Sequence, residues 1–254
     1  MDIDKIYEKG EKYYIAKDYN KALKYFKNGY AISEDGDFLN YIGCCYLNLN
    51  KIEESILAFQ ELIKIYPNWG RPVFNLGRVY LKLDIYSKAL RCFNRAVKIN
   101  PEDEDAYYYL GLYYQNVDNY EKAINCYKKS LRLNDLKAEP HLNLGLCYFR
   151  TNRYKQAIWE FDICYEEDND CEDALFNKAI TLLHMGRYMQ SLYTSLELYK
   201  INSKDIENIL NIGECYYRLG NLSCSENRFK EVLKDDPLNS MANKFLKKIR
   251  FKSK

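Results

Sequence analysis

Asn143, Asn177 and Asn211 stand 34 residues apart in this 254-residue chain. A side-chain amide both donates and accepts a hydrogen bond, so amides at one phase of a repeat can hold an extended peptide backbone. Tyr109 and Asn75 occupy the same phase one and two strides earlier. Three residues on, the phase reads Arg78, Leu112, Leu146 and Ile180, and the same segments add Tyr108, Leu142, Phe149 and Phe176. Two readings of this apolar set stand. It covers contacts between neighbouring helices, or it forms a pocket for a partner's apolar side chains or amphipathic helix. Arg78 and Arg150 flank the set, and guanidinium groups suit ligand carboxylates.

Reactive chemistry is harder to find. The chain has no phosphate-binding glycine loop, no H-E-x-x-H and no G-x-S-x-G. Its two histidines, His141 and His184, have no partner visible in the sequence; His141 is expected to be packed and His184 to lie near the end of a groove-lining helix. No catalytic residue, metal ligand or cofactor is therefore assigned. Nine cysteines, an odd number without C-x-x-C, do not make a zinc or disulfide framework. They read as small apolar fillers. Free thiols in this number point to a reducing compartment, and a cytoplasmic location is expected. The opening MDIDKIYEKG has no apolar secretory core, and no run approaches the ~20 apolar residues of a membrane span. Net charge is +2, but residues 244–254 hold six basic groups and no acid, leaving 32 basic against 36 acidic residues elsewhere. A mildly acidic body with a basic tail excludes a general nucleic-acid binder.

The elements that position these residues come from a repeat. A small residue returns at Gly10, Gly43, Gly77, Gly111, Gly145, Ala179 and Gly213; all strides are 34 except the first, which is 33. Twelve residues on lie Ala22, Ser55, Ala89, Ala123, Ala157, Ser191 and Ser225; sixteen on lie Phe26, Phe59, Phe93, Tyr127, Phe161, Ser195 and Phe229. Apolar residues recur at three and four within each half, so each half is a helix. A glycine inside a helix costs about 1 kcal/mol against alanine, and its return at one phase implies a helix crossing too close for a side chain. Polar turns such as Leu83–Asp84 separate the halves, and Pro67, Pro101 and Pro237 stop second helices.

This pattern resembles the tetratricopeptide repeat (TPR) family over roughly residues 4–237. The resemblance implies an all-α fold: a right-handed α-solenoid of about seven TPR helix-turn-helix units, with first helices lining a concave groove. The units fall at about 3–35, 36–69, 70–103, 104–137, 138–171, 172–205 and 206–237, as one solenoid over 1–254. Unit six, with Lys178, Ala179 and Ser195 in place of leucine, glycine and aromatic, is expected to pack loosely. Residues 238–251 form an amphipathic helix, read as a cap or else as a binder of anionic surfaces.

The expected function is a non-enzymatic adaptor that takes a peptide or helix of a protein partner in its groove. The alternatives are an assembly subunit using its outer wall or ends, and a regulatory domain acting with an enzyme. No nucleic-acid partner is expected, and weak self-association is left open. Chaperone-tail binding is not expected, because its lysine–asparagine clamp would fall on Tyr7 and Glu11.

Overall fold

Helix boundaries follow the repeat. The computed structural model describes residues 2–135 and 137–252. Among these it has fifteen helices and no strand. They are α1 (Ile3–Ile15), α2 (Tyr19–Ser33), α3 (Gly36–Asn48), α4 (Ile52–Ile65), α5 (Gly70–Lys82), α6 (Tyr86–Ile99), α7 (Glu104–Asn116), α8 (Tyr120–Leu133), α9 (Ala138–Arg150), α10 (Tyr154–Glu167), α11 (Glu172–His184), α12 (Tyr188–Ile201), α13 (Ile206–Arg218), α14 (Leu222–Asp235) and α15 (Ser240–Lys252). The chain divides into two compact units, Met1–Asp118 and Asn119–Lys254. In the first, α3 packs on α5 and α5 on α7; in the second, α9 packs on α11, α11 on α13 and α13 on α15. Odd-numbered helices thus form one layer of each unit. Among the described residues, no helix is long and apolar enough to cross a membrane.

Local chemistry explains the ends. Asp2, Asp18, Asp35, Asp103, Asn119, Asp205 and Asn221 each accept a backbone N–H of the helix they start, satisfying donors the helix cannot. Each turn between paired helices contains one left-handed residue, always seven beyond the glycine position: Lys17, Asn50, Asp84, Asp118, Asn152, Gly186 and Gly220, with φ between 56° and 82°. Asn, Asp and Gly tolerate this region best, which explains six of the seven choices; Lys17 is the exception. Glu34, at φ 52°, makes a further left-handed turn where α2 meets α3. That is also where the stride shortens to 33.

The glycines mark close crossings. A Cβ built on Gly10, Gly43, Gly77, Gly145 or Gly213 would lie 2.5–2.8 Å from a ring carbon of Phe26, Phe59, Phe93, Phe161 or Phe229. These rings are buried, at 0–1% exposure. Where the position twelve on is serine, its hydroxyl donates to the carbonyl of the small residue it faces: Ser55 to Gly43 at 2.9 Å, Ser191 to Ala179 at 2.8 Å, Ser225 to Gly213 at 2.8 Å. Serine there both fits the crossing and ties the two helices together.

In the sixth unit Ser195, which stands in place of the aromatic, is fully buried and meets polar groups of α13. Asn211 Nδ2 donates to Ser195 Oγ at 2.6 Å, Asn208 Nδ2 donates to the Ser195 carbonyl at 2.9 Å, and Cys215 Sγ donates to Ser191 Oγ at 3.2 Å. The terminal helix α15 packs Ala242, Phe245, Leu246 and Ile249 on Ile209, Leu210, Phe229 and Val232. Lys247 stands where the next glycine of the series would fall and is exposed.

All nine cysteines are free thiols. Burial pushes Cys45 and Cys147 up to about 12, and Cys126 and Cys215 up to about 11. They remain protonated and poorly nucleophilic at neutral pH.

Candidate functional site

In the first compact unit, four successive odd-numbered helices contribute to one groove of about 600 Å³. Tyr7 and Tyr14 come from α1, Asn40 and Tyr41 from α3, Arg71, Phe74, Asn75 and Arg78 from α5, and Asp105 and Tyr109 from α7. The volume lies in the range of sites that enclose ligand groups, about 300–1,000 Å³.

One wall is aromatic. Tyr41 stacks on Phe26 with centroids 4.5 Å apart and meets the edges of Tyr7 and Tyr14 at 5.7 and 5.4 Å. Its hydroxyl donates to Glu11 Oε1 at 2.6 Å. Burial first, and then this hydrogen bond, raise its pKa, so Tyr41 stays a neutral donor. Tyr109 stands edge-on to Phe74 at 5.3 Å.

The floor is a polar relay. Arg78 Nη1 donates to Asn75 Oδ1 at 3.2 Å, and Asn75 Nδ2 donates to Asn40 Oδ1 at 2.9 Å. This leaves Asn40 Nδ2 at the groove with no hydrogen-bond partner among the described residues. The Arg78 guanidinium lies 5.8 Å from the Phe74 ring centre and 5.1 Å from that of Tyr109. It forms no ion pair with a described residue, whereas Arg71 is paired to Asp105 at 3.1 Å. Burial raises the Asp37 carboxyl at the rim, helped by the neighbouring Asp35. A half-buried cation held by neutral partners can accept an anionic or carbonyl group from a ligand.

Of the residues singled out from sequence, Asn75, Arg78 and Tyr109 meet here. Three of the asparagines make other contacts. Asn211 is 3% exposed and spent on Ser195. Asn177 donates to the carbonyl of Asp173 at 2.8 Å and Asn143 to that of Glu139 at 2.9 Å, each within its own helix. The position two before the glycine is therefore a seam position as well as a groove position. It leans on the residue sixteen after the previous glycine: Tyr41 on Phe26, Tyr109 on Phe93, Asn211 on Ser195, Phe245 on Phe229.

Tyr108, Leu112, Leu142, Leu146, Phe149, Phe176 and Ile180 are all half-buried, and Arg150 is exposed. Phe149 presents its face or edge to His184, with ring centres 5.2 Å apart at 83°. Sequence reasoning missed Asn40, Tyr14 and Phe74. Their signal was available: Asn40 and Phe74 hold the phase three before the glycine that also carries Tyr108, Leu142 and Phe176, and Tyr14 lies one turn beyond Gly10 on α1.

The histidines have structural surroundings. His141 Nδ1 lies 2.8 Å from Glu160 Oε2 on α10, and both side chains are largely buried. His184 lines a smaller cavity with Leu183, Tyr188, Glu214 and Arg218. Its polar residues other than His184 and Tyr188 form an ion pair, Arg218 to Glu214 at 2.9 Å.

Comparison with known proteins bears on the fold. Family profiles described as TPR repeat and tetratricopeptide repeat match residues 77–117, 104–135 and 36–69. Heat shock protein STI1 of Saccharomyces cerevisiae is 29% identical over 79 residues, which are 30% of this chain and only 13% of that protein. Among solved structures, YrrB, described as a TPR protein with an unusual peptide-binding site, superposes with a TM-score of 0.67. The identity is 18%, over 73% of this chain and 95% of that one. Pseudomonas aeruginosa PilF gives a TM-score of 0.72 at 13% identity, over 84% and 97% of the two chains. The Cut9–Hcn1 complex of the APC/C gives 0.67 at 18% identity, over 97% of this chain and 48% of that one. At these identities the likeness is one of fold.

Proposed function

This chain belongs to the tetratricopeptide-repeat family, and from that premise we propose that it is a non-catalytic scaffold whose first compact unit binds an extended peptide of a protein partner. The observation that carries the reading is the relay from Arg78 through Asn75 to Asn40, which ends on an unused amide donor inside an aromatic-walled groove. Asn40 Nδ2 meets a ligand carbonyl. Arg78 meets a carbonyl or carboxylate. The rings of Tyr41, Phe74 and Tyr109 take an apolar side chain. First helices pack roughly 8–10 Å apart, and an extended chain rises about 3.3 Å per residue, so every third ligand residue meets a new helix. A reducing compartment such as the cytoplasm fits the nine free thiols.

Peptides selected from a random-sequence display library on the intact chain test this reading. Arg78→Ala is expected to weaken them by roughly tenfold or more, the value of a hydrogen bond to a charged group. Unchanged binding by both Arg78→Ala and Asn40→Ala would remove the groove from the account. A second reading, an assembly subunit working through its outer wall, is favoured by Trp159 and Tyr193. They hold the same repeat position on α10 and α12 and are 67% and 66% exposed. Binding abolished by Trp159→Ser with Tyr193→Ser, and indifferent to Arg78→Ala, would select it.

A further inference from the structure

The terminal helix α15 carries more charge than a cap needs. Its capping work is done by Ala242, Phe245, Leu246 and Ile249. Its basic residues, Lys244, Lys247, Lys248, Arg250 and Lys252, are unopposed by any acid on the helix. Two of them are placed differently from the rest. Lys244 and Lys248, one turn apart, line a cavity of about 400 Å³ whose other walls are Glu214 and Arg218 of α13, with Met241 and Phe245 on its apolar side. A second cavity, of about 390 Å³, shares Glu214 and Arg218 and continues to His184 and Tyr188.

The charge in this trough is one-sided. Its single acid, Glu214, is already held by Arg218 through Nη2 at 2.9 Å and Nε at 3.2 Å. Lys244 and Lys248 form no ion pair with any described residue; Lys248 lies 4.9 Å from the Phe245 ring centre and does no other work. Adjacent uncompensated cations repel each other, and an anionic ligand relieves that repulsion while gaining charge-assisted hydrogen bonds.

We propose that this trough is a second binding site, specific for an acidic segment of a protein partner. Carboxylates of the segment pair with Lys244, Lys248 and the outer face of Arg218, and an apolar side chain between them rests on Met241 and Phe245. A peptide fits the concavity. A bilayer would need the apolar face of α15, which is packed against α13 and α14. Leu238 and Phe251 are the apolar groups a membrane could still use, at 89% and 81% exposure, and they lie outside the trough. The site stands wholly within the second compact unit, so it stands or falls independently of the groove around Arg78.

The probe is a fluorescein-labelled octapeptide of Glu, Asp and two Leu residues, followed by anisotropy at about 50 mM salt, where the Debye length still exceeds about 10 Å. The intact chain and Arg78→Ala are expected to bind it alike. Lys244→Glu with Lys248→Glu is expected to bind at least about tenfold more weakly. Lys247→Glu with Arg250→Glu makes the same change in net charge away from the trough and is expected to stay within about threefold of wild type. The neutral pair Lys244→Gln with Lys248→Gln repeats the measurement without new repulsion, and all variants are checked for unchanged thermal melting. Equal loss in the two charge-reversed pairs overturns the proposal, since net charge alone would then be acting. So does absence of binding by the wild type. Tighter, Lys244- and Lys248-dependent binding to anionic lipid vesicles or to an oligonucleotide than to the peptide also overturns it.

Discussion

Gly145→Val is expected to lower the stability of the second compact unit by about 3 kcal/mol, and Phe161→Ala by about 3–5 kcal/mol. A Cβ on Gly145 would sit 2.5 Å from Phe161 Cε1. The ring is 1% exposed, so it has nowhere to turn. Helix propensity works in the other direction, because replacing glycine by alanine in a helix gains about 1 kcal/mol. The crossing therefore decides the sign, and the side chain with more volume should lose more. The chain contains its own control. At Ala179 the small position has a methyl group, and there the residue sixteen on is Ser195 instead of a ring. Gly145→Ala should accordingly cost less in a Phe161→Ser background than alone, with a coupling of about 1–2 kcal/mol in a double-mutant cycle. Urea unfolding of the four chains measures it. Additive effects would mean that the glycine is there for some reason other than the ring.

Asn211→Ala is expected to cost about 2–3 kcal/mol, against less than about 0.5 kcal/mol for Asn177→Ala, although the two hold the same place in successive repeats. Asn211 is 3% exposed and donates to Ser195 Oγ at 2.6 Å; its removal strands a hydroxyl in a region where Ser191 and Ser195 are fully buried. Asn177 donates only within its own helix, to the Asp173 carbonyl, and solvent can replace that bond. Thermal melts of the two variants separate the cases. Similar shifts would show that the polar filling of the sixth repeat contributes little.

The contrast between these asparagines shows what the sequence can express. The repeat fixes helix phase, because glycine, small residue and aromatic must meet at each crossing, as Gly10, Gly43, Gly77, Gly145 and Gly213 do with their rings. The polar turns were legible too, and the structure puts one left-handed residue in each, of a type that suits it at Asn50, Asp84, Asp118, Asn152, Gly186 and Gly220. What phase does not fix is whether a side chain at the seam turns inward or out. Asn211 turns inward because Ser195 leaves room where other repeats have a ring. Asn75 lies between the relay partners Arg78 and Asn40, and Asn40 belongs to the previous repeat. Both outcomes depend on the neighbour one stride away. A reading of each repeat by itself placed Asn75, Arg78 and Tyr109 in the groove and noted the basic charge of residues 244–254, but could not see that Lys244 and Lys248 line one cavity with Glu214 and Arg218 of α13.

The central claim is that ligand meets the layer of first helices in the first compact unit. Photo-crosslinking with a selected peptide carrying a benzophenone group tests it most directly, with attachment sites located by mass spectrometry. The account predicts adducts on groove residues such as Tyr14, Tyr41 and Tyr109, reduced by unlabelled peptide and by Arg78→Ala. Adducts confined to the second helices, around exposed residues such as Leu57 on α4, would contradict it.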